Sequence, residues 1–250
     1  MSLRPFVLCD GVLGLFTGRS CGVSAGPFGT LNLSYGVGDD PAAVSRNRDL
    51  VLQAVRPGPD RLTWMRQVHG TAVAHITDPA ASPTADPGTD QQADAIFTGS
   101  PAVAIGALAA DCAPVLIADP VAGLVGAAHA GRPGLAAGVV PALVTAMAQA
   151  GADPVRMYAA IGPAICGQCY EVPAAMRDQV AAAVPESACV TAAGTPGIDL
   201  RAGLRAQLAK LGVSQVGDDD RCTAQSAELF SYRRDGQTGR FSGLVWLAPC

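Results

Sequence analysis

Short apolar runs separated by glycine, proline and aspartate dominate the hydrophobic pattern of this chain. Continuous runs of this kind are typical of strands that are buried on both faces of a sheet. One of them is interrupted by His69 and Gly70, where a polar residue and a turn residue break the apolar pattern. The pattern predicts strands at 62–77, 93–98, 102–110, 115–118, 124–128, 157–161 and 240–247.

Four other segments repeat their apolar residues every three or four positions, which is the spacing of one face of an α-helix. The first has Asp40 as its N-cap, Pro41 at its first position and Pro57-Gly58 beyond its end. The others are predicted at 135–150, at 174–184 and from Asp199 to Leu211. Residues 18–40 contain six glycines and are predicted to form a functional loop. Residues 78–92 are predicted to form an exposed loop.

The composition supports a well-packed interior. Hydrophobic residues make up 49% of the 250 positions and charged residues only 15%, the opposite of the balance that keeps a chain disordered. A chain of this length is expected to form one large domain or two tightly joined halves. The sequence has no tandem repeat of short period and no linker long enough to separate independent domains.

Charge and cysteine content exclude several classes of function. The net charge is −4, with 16 arginines but a single lysine, and there is no basic stripe of the kind that binds nucleic acid. No apolar stretch approaches the length of a membrane span, and Asp10 and Gly11 cut the first one before it resembles a secretory signal. Eight cysteines in such a chain are expected to be free thiols, which indicates a cytoplasmic protein.

The candidate chemistry lies at three places where an apolar strand gives way to a turn. Two of the chain's three histidines, His69 and His129, stand next to or near glycine at such points, and Cys112 stands at a third. Two imidazoles and a thiolate are suitable ligands for Zn²⁺, and three protein ligands leave a fourth position for water. The same groups suit a thiolate nucleophile with a histidine base. Spacing alone leaves a third interpretation open, in which they are unrelated core residues.

Other motifs carry weaker signals. Arg48 shares a helix face with Val44 and Val51, so its guanidinium points inward, where it either pairs with a core carboxylate or anchors an anionic or hydroxylated ligand. Cys166-Gly-Gln-Cys169 has the spacing of a redox or zinc motif, but we interpret it as ordinary buried thiols because no second cysteine pair lies at a suitable distance. His75 lies on the polar side of its strand and is predicted to be a surface residue.

Several motifs in a fixed order make the chain resemble the YfiH-like proteins, which are also classed as multicopper polyphenol oxidases or laccase-domain proteins and are related to the macrophage enzyme FAMIN. The resemblance extends over nearly the whole chain. It is carried by GPFGTLNL, GDDP, the pair Asn47-Arg48, QVHG, ADAIFT, ADCAPVLIADP, AAHAG, IGPAIC-x-x-CYEV, IDLRA and FSYRRDG-x-TGRFSG.

The resemblance implies one α/β domain (α+β type) over residues 1–250, built of two similar sheet-and-helix halves with mixed sheets. It implies that His69, Cys112 and His129 form a catalytic zinc site. We predict Asn47 and Arg48 as substrate-binding residues, with Arg48 as the candidate for an anionic or ribose contact. The implied activity is phosphorolysis of purine nucleosides (adenosine, inosine and methylthioadenosine), with some deamination of adenosine. The chain departs from the family at Arg132-Pro133, where the family usually has Trp-Arg.

Counting histidines tests the oxidase label of the family. A multicopper oxidase needs a blue-copper site and a histidine-rich trinuclear cluster, which three histidines cannot supply, although one Cu²⁺ could enter the trio. The usual zinc deaminase signature is also absent.

Two further functions stay open at the level of sequence. One is a Cys-His thiol hydrolase that acts on an amide or peptidoglycan fragment, and the other is a binding protein with a structural zinc. The sequence does not identify the general acid among Asp94, Asp111, Tyr170 and Glu171, nor does it indicate the oligomeric state.

Overall fold

The computed structural model describes residue 3, residues 5–77 and residues 92–248 of the chain. It contains two mixed β-sheets and six α-helices within these ranges. The expected α/β class with mixed sheets is confirmed. Apart from Gln92, the loop predicted at 78–92 lies outside the described residues.

The first sheet has five strands. Its order is β1 (Phe6–Cys9), β2 (Val12–Phe16), β13 (Phe241–Leu247), β6 (Val103–Ala109) and β3 (Arg61–Trp64). Only the pair of β3 and β6 is parallel; the other pairs are antiparallel.

The second sheet has six strands. Its order is β12 (Gln215–Asp218), β9 (Tyr158–Ile161), β7 (Ala113–Asp119), β8 (Leu124–Ala130), β5 (Ala95–Thr98) and β4 (Val73–Ile76). Parallel pairing at both edges, between β9 and β12 and between β4 and β5, makes this sheet mixed as well. A separate antiparallel pair is formed by β10 (Ala188–Val190) and β11 (Pro196–Ile198).

The helices follow the capping signals of the sequence. Asp40 accepts a hydrogen bond from the Ala42 amide at the start of the first helix, and Asp199 accepts one from Ala202 at the start of the fifth. Their bounds are α1 (Pro41–Ala54), α2 (Arg132–Ala137), α3 (Val139–Gln149), α4 (Ala174–Ala183), α5 (Leu200–Lys210) and α6 (Tyr232–Asp235).

The two sheets pack face to face, with helices on their outer faces. Along β7, Leu116 and Ala118 belong to the apolar cluster between the sheets, whereas Val115 and Ile117 pack with residues of α3 and α5. This alternation follows from the two-residue period of a strand, and continuous apolar runs result because both faces are covered. Helix α1 covers the outer face of the first sheet through Val51.

Two predicted elements are wrong in their extent. The helix predicted at 135–150 is divided into α2 and α3, because Gly138 adopts a left-handed conformation (φ 85°) that ends one helix. The strand predicted at 62–77 is two strands, β3 and β4, which lie in different sheets. The segment between them therefore crosses from the first sheet to the second, and it carries His69. Strands β1, β2, β10, β11 and β12 were not predicted.

The prediction for His75 is confirmed, since this residue is exposed and its ring stacks on Phe97 with 4.1 Å between centroids. Among the described residues, no helix is both long enough and apolar enough to cross a membrane.

Candidate functional site

Three side chains meet where the chain passes between the sheets. His69 lies in the crossing from β3 to β4, and Cys112 lies in the crossing from β6 to β7. His129, near the end of β8, is paired with Pro114 of β7 and so lies beside the second crossing. One nitrogen from each imidazole and Sγ of Cys112 all lie within 4.8 Å of one another. The topology thus brings together the three residues that the sequence singled out.

Both crossings contain a residue with positive φ that is not glycine. His69 has φ 62° and Asp111, which precedes Cys112, has φ 96°. Such conformations are costly and persist only where neighbouring groups hold them. The Asp111 carboxylate accepts hydrogen bonds from the hydroxyls of Thr223 (2.6 Å) and Ser231 (2.7 Å) and from the Arg233 amide (2.7 Å). These contacts hold the turn that presents Cys112.

Asp94 holds the two histidines. Its fully buried carboxylate accepts hydrogen bonds from three consecutive backbone amides, those of Val68 (3.1 Å), His69 (2.9 Å) and Gly70 (2.6 Å). The same carboxylate lies 2.9 Å from Nδ1 of His129. Because an ionised carboxylate can only accept a hydrogen bond, Nδ1 of His129 must carry the hydrogen. Nε2 of His129 is then left to face Cys112 or a metal.

The ionisable groups of the trio, together with Asp94, shift one another's pKa values. Burial alone would raise the pKa of the Cys112 thiol, but the charge of His129 and the hydrogen bonds of both histidines lower it to about 6. Burial alone would lower the pKa of His129, but the Cys112 charge and the bond to Asp94 raise it to about 9. The pKa of Asp94 is lowered although burial opposes this, because His129 and the amides of Gly70 and Val68 stabilise its charge.

This arrangement fits a metal ion of the zinc type. In a tetrahedral zinc site, a thiolate sulfur and an imidazole nitrogen are about 3.6 Å apart, and Sγ of Cys112 lies 3.9 Å from Nε2 of His69. Asp94 behind His129 is the carboxylate partner that metal-binding histidines commonly have. A group of two histidines and one cysteine also suits copper, so the donor set does not choose between the metals.

Gly131 explains why glycine follows the second histidine. A Cβ at this position would lie 2.9 Å from Sγ of Cys112 and 3.0 Å from Cδ2 of His69. The backbone at Gly131 has φ −83° and ψ 175°, which any residue can adopt. Glycine is required here for space rather than for conformation.

The trio opens into a cavity of about 870 Å³. This volume lies within the range of small-molecule sites. Among the described residues that line it, four arginines (Arg48, Arg66, Arg233 and Arg240) face a single carboxylate, that of Asp111. Four guanidiniums outnumber this one carboxylate, so the lining arginines give the cavity an excess of positive charge. The Asp111 carboxylate is itself engaged by three hydrogen bonds.

Arg48 is one of the residues that line this cavity. Its guanidinium lies between the rings of Tyr35 and Trp64, 4.4 and 4.3 Å from their centroids. Nε and Nη2 both donate to the carbonyl of Leu33, at 2.9 and 2.8 Å. These contacts fix the guanidinium of Arg48 in the wall of the cavity.

Asn47 occupies a different environment. It is fully buried, its Nδ2 donates to the Ser24 hydroxyl and to the carbonyls of Thr30 and Asn32, and its Oδ1 accepts from Val23. It does not line the cavity. Its position favours holding the glycine-rich loop rather than contacting a substrate directly.

The four candidates for the general acid differ in whether they line the cavity and whether they are already hydrogen-bonded. Asp94 and Asp111 are occupied as acceptors, and Glu171 does not line the cavity. Tyr170 does line it, and the Arg233 guanidinium lies 5.3 Å from its ring centroid. Burial and the Cys112 charge raise the pKa of Tyr170, which keeps its hydroxyl protonated.

Arg132 stands where the chain departs from the usual family pattern, and it still influences a residue of the site. It begins α2 directly after Gly131, and its positive charge partly opposes the rise in the pKa of Tyr170. This arginine therefore acts electrostatically on a cavity residue although it is displaced by one position.

Sequence reasoning missed most of the cavity wall. Tyr35 and Trp64 lie far in the chain from Arg233 and Arg240, and no spacing associates the two pairs. Only Arg233 and Arg240 lie within a quoted family motif, FSYRRDG-x-TGRFSG, which could have drawn attention to them.

Comparison with known proteins gives a consistent result. The family described as "Multi-copper polyphenol oxidoreductase laccase" matches residues 14–248. Purine nucleoside phosphorylases of Streptomyces coelicolor and Streptomyces griseus are 51% and 52% identical over 232 residues, which cover 93% of this chain and 94% and 93% of theirs.

Among solved structures, YlmD from Geobacillus stearothermophilus matches with a TM-score of 0.89 and 32% identity, over 98% of this chain and 94% of its own. Family match, sequence identity and fold agree over nearly the whole length. The chain therefore belongs to the multi-copper polyphenol oxidoreductase laccase family, whose YfiH-like members its motifs resemble.

Proposed function

We propose that this chain is a purine nucleoside phosphorylase that acts on adenosine, inosine and methylthioadenosine. The reaction breaks the bond between C1′ and the purine nitrogen, forms a bond from C1′ to a phosphate oxygen, and gives the free base a proton. The observation that carries the proposal is the convergence of His69, Cys112 and His129 on a cavity rich in arginine. The names of relatives that are about half identical support it.

The arginines suit the second substrate, phosphate. Guanidinium groups bind phosphate through paired hydrogen bonds. Arg233 and Arg240 are the candidates, since both line the cavity and the Arg233 amide donates to the Asp111 carboxylate beside Cys112. Burial lowers the pKa of Arg240, and a bound dianion would offset that cost.

Arg48 and its two aromatic neighbours suit the nucleoside. The guanidinium held between Tyr35 and Trp64 presents a rigid polar edge for ribose hydroxyls or the purine. Asn47 would act on this part of the site through the loop that it holds. We therefore keep both residues in the proposed substrate site, with Arg48 as the contact and Asn47 as a positioning residue.

His69, Cys112 and His129 would hold the metal, for which zinc is our proposal and copper the alternative. When bound, zinc supplies a Lewis acid with an open coordination position and lowers the pKa of water toward 7. Asp94 keeps His129 in the tautomer that leaves Nε2 free. Tyr170 is the proposed proton donor to the leaving base, because its hydroxyl is protonated and borders the same cavity.

We include deamination of adenosine to inosine and ammonia as a second activity of the same site. This reaction needs water in place of phosphate, and the cavity has room for either. We also expect the enzyme to work in the cytoplasm, where the free cysteines would stay reduced.

The test is to incubate the purified protein with adenosine and phosphate and to separate the products by chromatography. We expect adenine and ribose 1-phosphate, with a smaller amount of inosine. Cys112→Ala and His129→Ala should lose both products, whereas Cys21→Ala, which changes an exposed thiol, should keep them. Neither adenine nor inosine from the folded wild-type protein would overturn the proposal.

One observation favours a second candidate, a thiol hydrolase for an amide or peptidoglycan fragment. Cys112, His129 and Asp94 are connected as nucleophile, base and orienting carboxylate, and the pKa of Cys112 is lowered to about 6. Iodoacetamide labelling separates the two. Modification of Cys112 in active protein from which metal has been removed would favour the hydrolase, and protection of Cys112 by stoichiometric zinc would favour the metal site.

A further inference from the structure

A second group of convergent thiols lies outside the site described above. Cys166 and Cys169 belong to the segment between β9 and α4, and Cys222 follows β12. Their three sulfur atoms lie within 4.8 Å of one another. Cys222 is buried and the other two are half-buried, and none of them forms a disulfide. The third thiol supplies the partner that the sequence spacing alone did not reveal.

The local backbone holds these sulfurs toward one another. The amides of Cys169 (2.9 Å) and Tyr170 (3.0 Å) donate to the carbonyl of Cys166, which forms a tight turn between the two cysteines. The Cys166 amide donates to Sγ of Cys222 at 3.4 Å. An amide that donates to sulfur stabilises a thiolate, which is the form that binds metals.

The surroundings also favour negative charge. A divalent ion with three thiolates has a net charge of −1. Arg234 donates to the carbonyl of Thr223, directly after Cys222, and Arg201 donates to the carbonyls of Ala164 and Arg221, directly before it. Two guanidiniums thus border the chain segments that carry the thiols.

We propose that Cys166, Cys169 and Cys222 form a second metal site, which binds Zn²⁺ through three thiolates and leaves the fourth position to an external ligand. In a tetrahedral zinc-thiolate site, neighbouring sulfurs are about 3.8 Å apart. The three sulfurs can reach that spacing with small rotations of the side chains. Sγ of Cys189 instead donates to the carbonyl of Gly167 at 3.5 Å, so this fourth thiol is not assigned to the site.

The metal would have a structural effect on the first site. The Ile165 amide donates to the carbonyl of Asp111 (2.9 Å), and the Thr223 hydroxyl donates to its carboxylate (2.6 Å). Both residues are neighbours of the thiol ligands in the chain. An ion that joins Cys166 to Cys222 would therefore brace the strained turn that presents Cys112.

The test uses the Cys112→Ala protein, which lacks the first site and is purified under reducing conditions. We expect it to bind one equivalent of Zn²⁺ by elemental analysis. With Co²⁺ it should show near-ultraviolet charge transfer and visible bands typical of a tetrahedral thiolate site. The wild-type protein should bind two equivalents of Zn²⁺. These results do not depend on nucleoside turnover, so the proposal can fail while the proposed function stands.

Variants identify the ligands. Cys166→Ser in the Cys112→Ala background should lose the remaining equivalent, whereas Cys189→Ser, the matched neighbouring thiol, should keep it. If Cys166→Ser fails to fold, the cobalt spectrum of the Cys112→Ala protein decides alone. Folded, reduced Cys112→Ala protein that binds neither Zn²⁺ nor Co²⁺ would overturn the proposal, as would loss of the metal in Cys189→Ser.

Discussion

Replacing Asp94 with asparagine tests the part of the account in which one buried carboxylate holds both histidines. The carboxylate has four donors, which are the amides of Val68, His69 and Gly70 and Nδ1 of His129. An asparagine oxygen can accept only about half of them, and its amide group then faces two other donors. Each buried donor left unsatisfied costs about 1–3 kcal/mol, so Asp94→Asn should lower the free energy of unfolding by about 2–6 kcal/mol.

The same substitution should weaken metal binding. An amide that donates toward Nδ1 of His129 favours the tautomer with hydrogen on Nε2, and that nitrogen can then no longer bind a metal. Loss of such an outer partner typically costs 10–100-fold in metal affinity or activity. We therefore expect Asp94→Asn to lower zinc affinity and nucleoside turnover by about that factor.

The assays are urea denaturation, competition with a chelator for zinc, and turnover of adenosine. Asp119→Asn is the matched control. Asp119 is also fully buried, accepts from the amides of Val121, Ala122 and Asp153 and pairs with Arg156, but it lies outside the cavity. The control should lose stability and keep its metal. Asp94→Asn protein with zinc affinity and turnover within threefold of wild type would refute the reasoning.

Three further predictions concern single positions. Gly131→Ala should displace Cys112 and lower kcat/KM by about 100-fold, while unfolding free energy changes by about 1 kcal/mol; normal kcat/KM would contradict the packing argument. Arg48→Lys should lose the stacked guanidinium and raise KM about tenfold, and an unchanged KM would remove Arg48 from the substrate site. Burial alone would raise the pKa of Asp119, but Arg156 and the backbone amides lower it. The ionised Asp119 carboxylate therefore stabilises the fold fully above about pH 4, and this contribution is lost as the pH falls further. Denaturation of wild type and Asp119→Asn from pH 7 to pH 2 should show the stability gap closing, and a constant gap would contradict this.

Much of the fold could be predicted because helix caps and apolar runs are local features of the sequence that directly stabilise helices and buried strands. The caps at Asp40 and Asp199 and the continuous apolar runs fixed the starts of helices and the buried strands. The break at Gly138 was missed because the apolar spacing continues across it. The short edge strands β1 and β12 were missed because they have few residues and half-exposed faces.

Only part of the candidate site could be predicted from the sequence. His69, Cys112 and His129 were singled out because each lies where an apolar strand gives way to a turn. Their convergence depends on two crossings between sheets, and strand pairing of this kind has no local signature. For the same reason the sequence did not associate Cys222 with Cys166 and Cys169, since Cys222 lies 53 positions after the nearer of them.

The most direct test of the central claim is ³¹P NMR of the purified protein with adenosine and inorganic phosphate, beside the His129→Ala variant. The account predicts that a ribose 1-phosphate signal grows as the phosphate signal declines, in step with adenine release, and that it is absent with His129→Ala. A phosphate signal that stays constant with folded, zinc-loaded wild-type protein would contradict the account.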